Sequence, residues 1–152
     1  MEQPSIEHLL TGCLYFTTAK LNRLLTGWAE EAFSGSGLAP NYAFAVMLVN
    51  DRPGMNQTEL AGILHLTPST LTRFIDKLEA KGWMTRTQSG RLTILNPTPK
   101  SRASQESLSA GWADFWKRYT GILGLDQGNG LAASIHQAEM ALARTEAAAA
   151  EF

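Results

Sequence analysis

The chain has 152 residues, 44% of them hydrophobic and 18% charged, with a formal net charge of −1. This length and balance fit one globular domain with its own core and exclude a disordered or uniformly basic chain. The single cysteine, Cys13, excludes an internal disulfide and a cysteine-based zinc cage. The longest apolar run, Tyr42 to Val49, is too short for a membrane span, and no basic-flanked apolar leader opens the chain, so the cytosol is the expected compartment.

Apolar residues recur at three- and four-residue steps through Ile6, Leu9, Leu10, Cys13, Leu14, Thr17, Leu21, Leu24, Leu25 and Trp28, which predicts one long amphipathic helix. Ser34-Gly35-Ser36-Gly37 ends it. Pro40 then stands just inside a second, mostly apolar helix to about Val49, and Asn50 to Gly54 is a turn. Asn56 followed by Glu59 has the form of a capping box and opens a short helix to about Leu64. Thr67-Pro68 starts another, with Leu71, Phe74, Ile75 and Leu78 on one face and Gly82 as its stop.

After Gly82 the period changes. Residues 83–88 and 91–95 read as two strands, with Ser89-Gly90 as the tight turn. Thr98-Pro99 begins a helix expected to end near Gly124. Gln127 to Gly130 reads as a glycine-rich joint before a last helix carrying Leu131, Ile135, Ala138, Leu142 and Thr145, with a helix-favouring alanine run at 147–150.

Charge is unevenly spread along this plan. From His65 to Arg102 there are seven basic residues against two acidic ones, whereas the remainder carries six basic and twelve acidic. One segment therefore holds a positive field suited to an anionic polymer. It coincides with two short helices, a tight turn and a β-hairpin, the plan of a winged helix-turn-helix. Thr67, Pro68, Ser69, Thr70, Thr72 and Arg73 crowd the N-terminal part of the second helix. They supply short hydrogen-bonding groups and one side chain long enough for a guanine edge or a phosphate. Lys77 follows on the same helix. Arg91 would reach the adjacent minor groove or backbone from the hairpin tip, and Arg86, bracing its base, is counted with these DNA-binding residues.

Thr58-Glu59-Leu60-Ala61 and the run from Leu66 through Thr67-Pro68-Ser69-Thr70-Leu71-Thr72-Arg73 and Leu78-Glu79-Ala80-Lys81-Gly82 to Arg86 resemble the recognition core of MarR-type transcriptional regulators. Leu95 to Lys100 resembles that family's return strand and the start of its next helix. The resemblance implies a mainly α fold with a small β-hairpin wing. It implies helical dimerisation regions at 1–36 and 98–152 around a DNA-binding region at 37–97, intertwined as one domain. It implies a homodimer that is not an enzyme, needs no cofactor or metal and binds double-stranded DNA at a palindromic site, more often as a repressor. Two recognition helices would stand roughly 34–36 Å apart.

This chain departs from the family at the wing. The Asp-x-Arg segment usual between the strands is replaced by Thr87-Gln88-Ser89-Gly90-Arg91, which points Arg91 to a phosphate contact. The short wing and near-neutral charge also keep open a second reading, a winged-helix protein-interaction module that has lost specific DNA binding.

Regulators of this type often sense a small molecule, and here Tyr15, Phe16, Tyr42 and Trp112 are the expected pocket wall, suited to a lipophilic or phenolic effector. Trp112, Phe115, Trp116 and Tyr119 form an aromatic stripe that reads first as packing and second as pocket lining. A peroxide-sensing branch of the family uses a first-helix cysteine, but its position aligns with Thr11, and Cys13 falls in the apolar periodicity as a buried structural thiol. His8, His65 and His136 lack metal-ligand spacing. No phosphate-binding loop, dinucleotide fingerprint or nucleophile elbow occurs.

Overall fold

Residues 5–149 are described by the computed structural model. Helices α1 (Ile6–Thr11), α2 (Leu14–Phe33), α3 (Pro40–Asp51), α4 (Gln57–Leu64) and α5 (Pro68–Ala80) lead into strands β1 (Met84–Ser89) and β2 (Leu92–Pro97). Helices α6 (Pro99–Ala103), α7 (Gln105–Leu123) and α8 (Leu125–Ala149) follow. Two compact units divide between Trp112 and Ala113, within α7. Among the described residues no single helix is long and apolar enough to cross a membrane.

The start signals read from the sequence are used as capping chemistry. Asn56 accepts from the Glu59 amide at 2.9 Å while Glu59 accepts from the Asn56 amide at 2.8 Å, closing the predicted box on α4. Thr67 caps α5 with Pro68 in the first turn, and Thr98 caps α6 in a reciprocal box with Ser101. Gly37 and Gly82 stand at positive φ, 68° and 72°, where the preceding helical segments stop.

Three helix boundaries differ from the sequence reading. The long first helix is two helices, because Cys13 adopts an extended conformation (φ −84°, ψ 119°) behind Gly12. None of α1 is buried, so no packing opposes the low helix propensity of Gly12. Cys13 accordingly sits half-buried at the N-terminus of α2 rather than inside an apolar face. The helix opened by Thr98 breaks at Ser104, whose amide reaches both the Lys100 and Ser101 carbonyls and whose hydroxyl also donates to Lys100 O.

The expected joint at 127–130 is helical, and the break falls instead at Gly124, at φ 85°. Gly128 is in α8 for a steric reason: a Cβ there would stand 3.1 Å from the Thr120 γ-methyl and 3.5 Å from the Tyr119 ring. In the same unit, Phe115 and Tyr119 of the aromatic stripe pack edge to face at 5.4 Å. The predicted alanine run is helical as far as Ala149; Ala150 lies outside the described residues.

The core of the first unit gathers Phe33, Val46, Val49, Leu60, Leu71, Ile75, Leu78, Met84, Leu95 and Leu108. It therefore joins the inner face of α5 to α3, α4 and the base of the hairpin. Strands β1 and β2 pair antiparallel from Met84↔Pro97 to Ser89↔Leu92. The connection between α3 and α4 pins the return strand, since Leu95 donates to Met55 O at 2.9 Å and Gly54 donates to Leu95 O at 3.0 Å. The hairpin turn is Gly90-Arg91, one residue later than expected, with Gly90 at φ 59° in its first central position.

Where α7 meets the end of α2, a Cβ on Gly111 would stand 2.8 Å from Ala32 O and 3.1 Å from the Phe33 ring. Gly111→Ala is expected to destabilise the protein by about 1–3 kcal/mol through overpacking. The same change at Gly62, where nothing lies within 4 Å, should stabilise α4 by roughly 0.5–1 kcal/mol. Denaturant unfolding of both variants checks the pair, and a neutral Gly111→Ala would refute the close crossing.

Candidate nucleic-acid interface

Helix α5 presents two chemically distinct faces. Leu71, Ile75 and Leu78 are buried, while Ser69, Thr70, Thr72, Arg73 and Lys77 are exposed. At its start the Thr67 hydroxyl accepts from the Thr70 amide at 3.3 Å, donates to the Thr70 hydroxyl at 2.9 Å and stands 3.3 Å from that of Ser69. The first turn contains no acid, so the positive end of the helix dipole is not offset from within the helix. The structure thus brings Thr67, Ser69 and Thr70 into one hydroxyl cluster.

Thr72 stands one turn further on and is tied at its hydroxyl. It donates to Pro68 O at 2.9 Å and accepts from the side-chain amide of Gln57 at 3.0 Å. Gln57 belongs to α4, so this contact fixes the first helix of the motif against the second. The sequence reading did not single out Gln57. Fifteen residues separate the partners, and only the packing of α4 on α5 brings them together.

Arg73, Lys77 and Arg91 are exposed and enter no salt bridge among the described residues. Arg86 is placed differently. Its guanidinium lies 2.7 Å from Asp76 and bonds Glu79 at 2.8 and 2.5 Å, while its backbone amide donates to Glu79 at 3.1 Å. The hydrogen bond with Glu79 is the chief cause holding the Arg86 pKa above its ordinary value. Arg86 therefore ties β1 to α5 and offsets both acids of α5. Its guanidinium is engaged by this helix and, unlike the charged ends of the other expected DNA-binding cations Arg73 and Lys77, does not stand free.

The hairpin tip lies beside the helix starts. Arg91, Leu92 and Thr93 line a small cleft of about 180 Å³ with Gln57, Thr58, Ala61, Pro68 and Leu71. Pro68 and Arg91 consequently border one surface. Among the described residues no group of three or more His, Cys, Asp or Glu is arranged to hold a metal.

The aromatic residues expected to line an effector pocket are spread along the chain's surface. Tyr42 stacks on Phe74 at 4.1 Å and lines a cleft of about 420 Å³ with Leu38, Leu78, Lys77 and Lys81. Trp112 lines a separate cleft of about 490 Å³ with Phe44, Met47, Leu48, Ile63 and Leu64. Tyr15 is 82% exposed on α2, and Phe16 lies under the Lys20 ammonium at 5.6 Å.

The MarR family pattern matches residues 40–91, which run from the start of α3 to the hairpin turn. Residues 40–91 thus carry the MarR family pattern, over about a third of the chain. No curated protein sequence matches it. Solved structures similar to it include the transcriptional repressor CouR bound to p-coumaroyl-CoA, 25% identical with a TM-score of 0.80 over 91% of this chain and 98% of that one. CouR bound to a 23-mer DNA duplex is likewise 25% identical, with a TM-score of 0.79 over 91% and 99% of the two chains. A MarR-family regulator from Listeria monocytogenes, complexed with 26-mer DNA, shares the fold at 18% identity and a TM-score of 0.74 over 88% and 91%.

Glu79 anchors Arg86 through three hydrogen bonds and Asp76 through one contact at a more exposed site. Glu79→Ala is therefore expected to cost about 1–3 kcal/mol and Asp76→Ala less. Equilibrium unfolding of the two variants measures the order, and equal losses would refute the assignment of Glu79 as the main anchor.

Proposed function

We propose that this chain is a MarR-type, cytoplasmic, sequence-specific DNA-binding transcriptional regulator that represses by occupying a palindromic operator as a homodimer. The carrying observation is the polarity of α5. Its exposed face keeps Arg73 and Lys77 unpaired, whereas both of its acids are engaged by Arg86. Thr67, Pro68, Ser69, Thr70, Thr72 and Arg73 enter the major groove in this reading. Lys77 and Arg91 meet phosphates, and Arg86 positions the wing.

Dimerisation through the flanking regions 1–36 and 98–152 is supported by the apolar residues left exposed there. Ile6, Leu14 and Leu24 on the first two helices, and Leu131, Ile135 and Leu142 on α8, are all more than a third exposed. The resemblance to DNA-bound CouR supports the same reading. The interaction-module alternative draws on the short wing with exposed Leu92 at its tip.

The test is fluorescence anisotropy on the chain's own upstream DNA and on random duplex, across a salt series. Arg73→Ala should weaken specific binding by about 1–3 kcal/mol. Lys77→Ala should weaken both duplexes alike and lower the salt slope by about 1. If neither substitution changes binding to any duplex, the interaction-module reading replaces this one.

A lipophilic or phenolic effector completes the proposal, supported by the apolar clefts at Tyr42 and Trp112 and by the ligand-bound CouR relative. Binding alone shifts nothing; the effector must prefer the state that has released DNA. Thermal melts against phenolic acids and their CoA thioesters should show at least one compound that raises Tm and also displaces the operator. Absence of any shift across the panel would remove the effector from the proposal.

A further inference from the structure

The hydrogen bonds of Thr72 restrict what it can offer to a base. A threonine hydroxyl has one proton and two lone pairs. The proton is directed to Pro68 O at 2.9 Å, and one lone pair receives the Gln57 amide at 3.0 Å. The hydroxyl is thus drawn back toward its own helix and toward α4. It has no proton left for guanine N7 or O6 or for thymine O4, the acceptors of the major-groove edge. The side chain is nevertheless exposed on the outward face of α5, one residue before Arg73. What remains to it is one lone pair and the γ-methyl, the one group of the side chain suited to an apolar contact with a base edge.

We propose that Thr72 is an apolar reader: its γ-methyl packs on the 5-methyl of a thymine while its hydroxyl stays engaged by Pro68 O and Gln57. This rests on the DNA-binding reading above and names the base class that one residue selects. The chemistry is that of a methyl pair desolvated at the groove floor, which discriminates thymine from cytosine and from uracil without any hydrogen bond to the base.

The experiment starts by selecting preferred duplexes from a random 26-base-pair pool with the full chain. Each thymine of the selected site is then replaced singly by deoxyuridine, which removes only the 5-methyl. Wild type, Thr72→Ser and Thr72→Val are titrated on the set. Serine keeps the hydroxyl and loses the γ-methyl; valine does the reverse. Both substitutions are at an exposed position, so the fold should be retained, and thermal melts verify it.

The expected result is one thymine per half-site at which deoxyuridine weakens wild-type binding about three- to fivefold. Thr72→Val should keep that sensitivity and Thr72→Ser should lose it. A sensitivity that survives in Thr72→Ser, or disappears in Thr72→Val, overturns the methyl assignment, as does a selected site with no uracil-sensitive position. A pool that yields no preferred duplex overturns the DNA-binding reading itself, which separates the two failures.

Discussion

The contact between Arg86 and the two acids of α5 is the constraint on which the interface depends. Without it, the exposed helix would carry two uncompensated carboxylates among its cations, and a polyanion would meet repulsion along the same face. With it, the acids become anchors for β1. The bidentate fork of an arginine suits this role, since it can bridge Asp76 and Glu79 while its own backbone amide also binds Glu79. One residue therefore sets the placement of the wing and the sign of the recognition surface together.

This arrangement also explains which parts of the molecule were legible in the sequence. Thr67-Pro68, Asn56 to Glu59 and Gly82 act within a few residues of themselves, so local chemistry announces them. The apolar spacing of α5 was equally readable because its inner face packs in a continuous core. The breaks at Cys13 and Ser104 and the helical state of residues 127–130 were not. Apolar periodicity continues across Gly12-Cys13, and a glycine-rich stretch can be helical where another helix needs close approach, as Gly128 allows beside Thr120. At the site, free cations such as Arg73 and Lys77 show in composition. The partners of Arg86 and the bond from Gln57 to Thr72 depend on how α4, α5 and β1 pack, which no spacing rule reports.

The hydroxyl cluster at the start of α5 adds a second layer to the same logic. Thr67 bonds both the amide and the hydroxyl of Thr70, and Thr72 is held from two sides. Short side chains lose little rotamer entropy on binding, and bonds made in the free protein reduce that loss further. Their contribution is directional. They fix which donors, acceptors and methyl groups face outward, and so bear on discrimination between sequences more than on affinity.

Affinity must then come from elsewhere, and the charge distribution says how much is available. Each chain carries a net charge of −1, with its positive field confined to one segment. Of that segment's exposed cations the site described uses Arg73, Lys77 and Arg91, so a single copy neutralises few phosphates there and gains little from counterion release. A second copy doubles those contacts, provided that the two recognition helices keep a fixed separation. The apolar residues exposed on α1, α2 and α8 bear on this same requirement, since burying them between copies would supply the rigidity that fixes the separation. Near-neutral overall charge is thus compatible with DNA recognition when assembly, rather than bulk electrostatics, makes the binding tight. In the proposed dimer, a ligand that altered the separation would remove the second set of contacts at once.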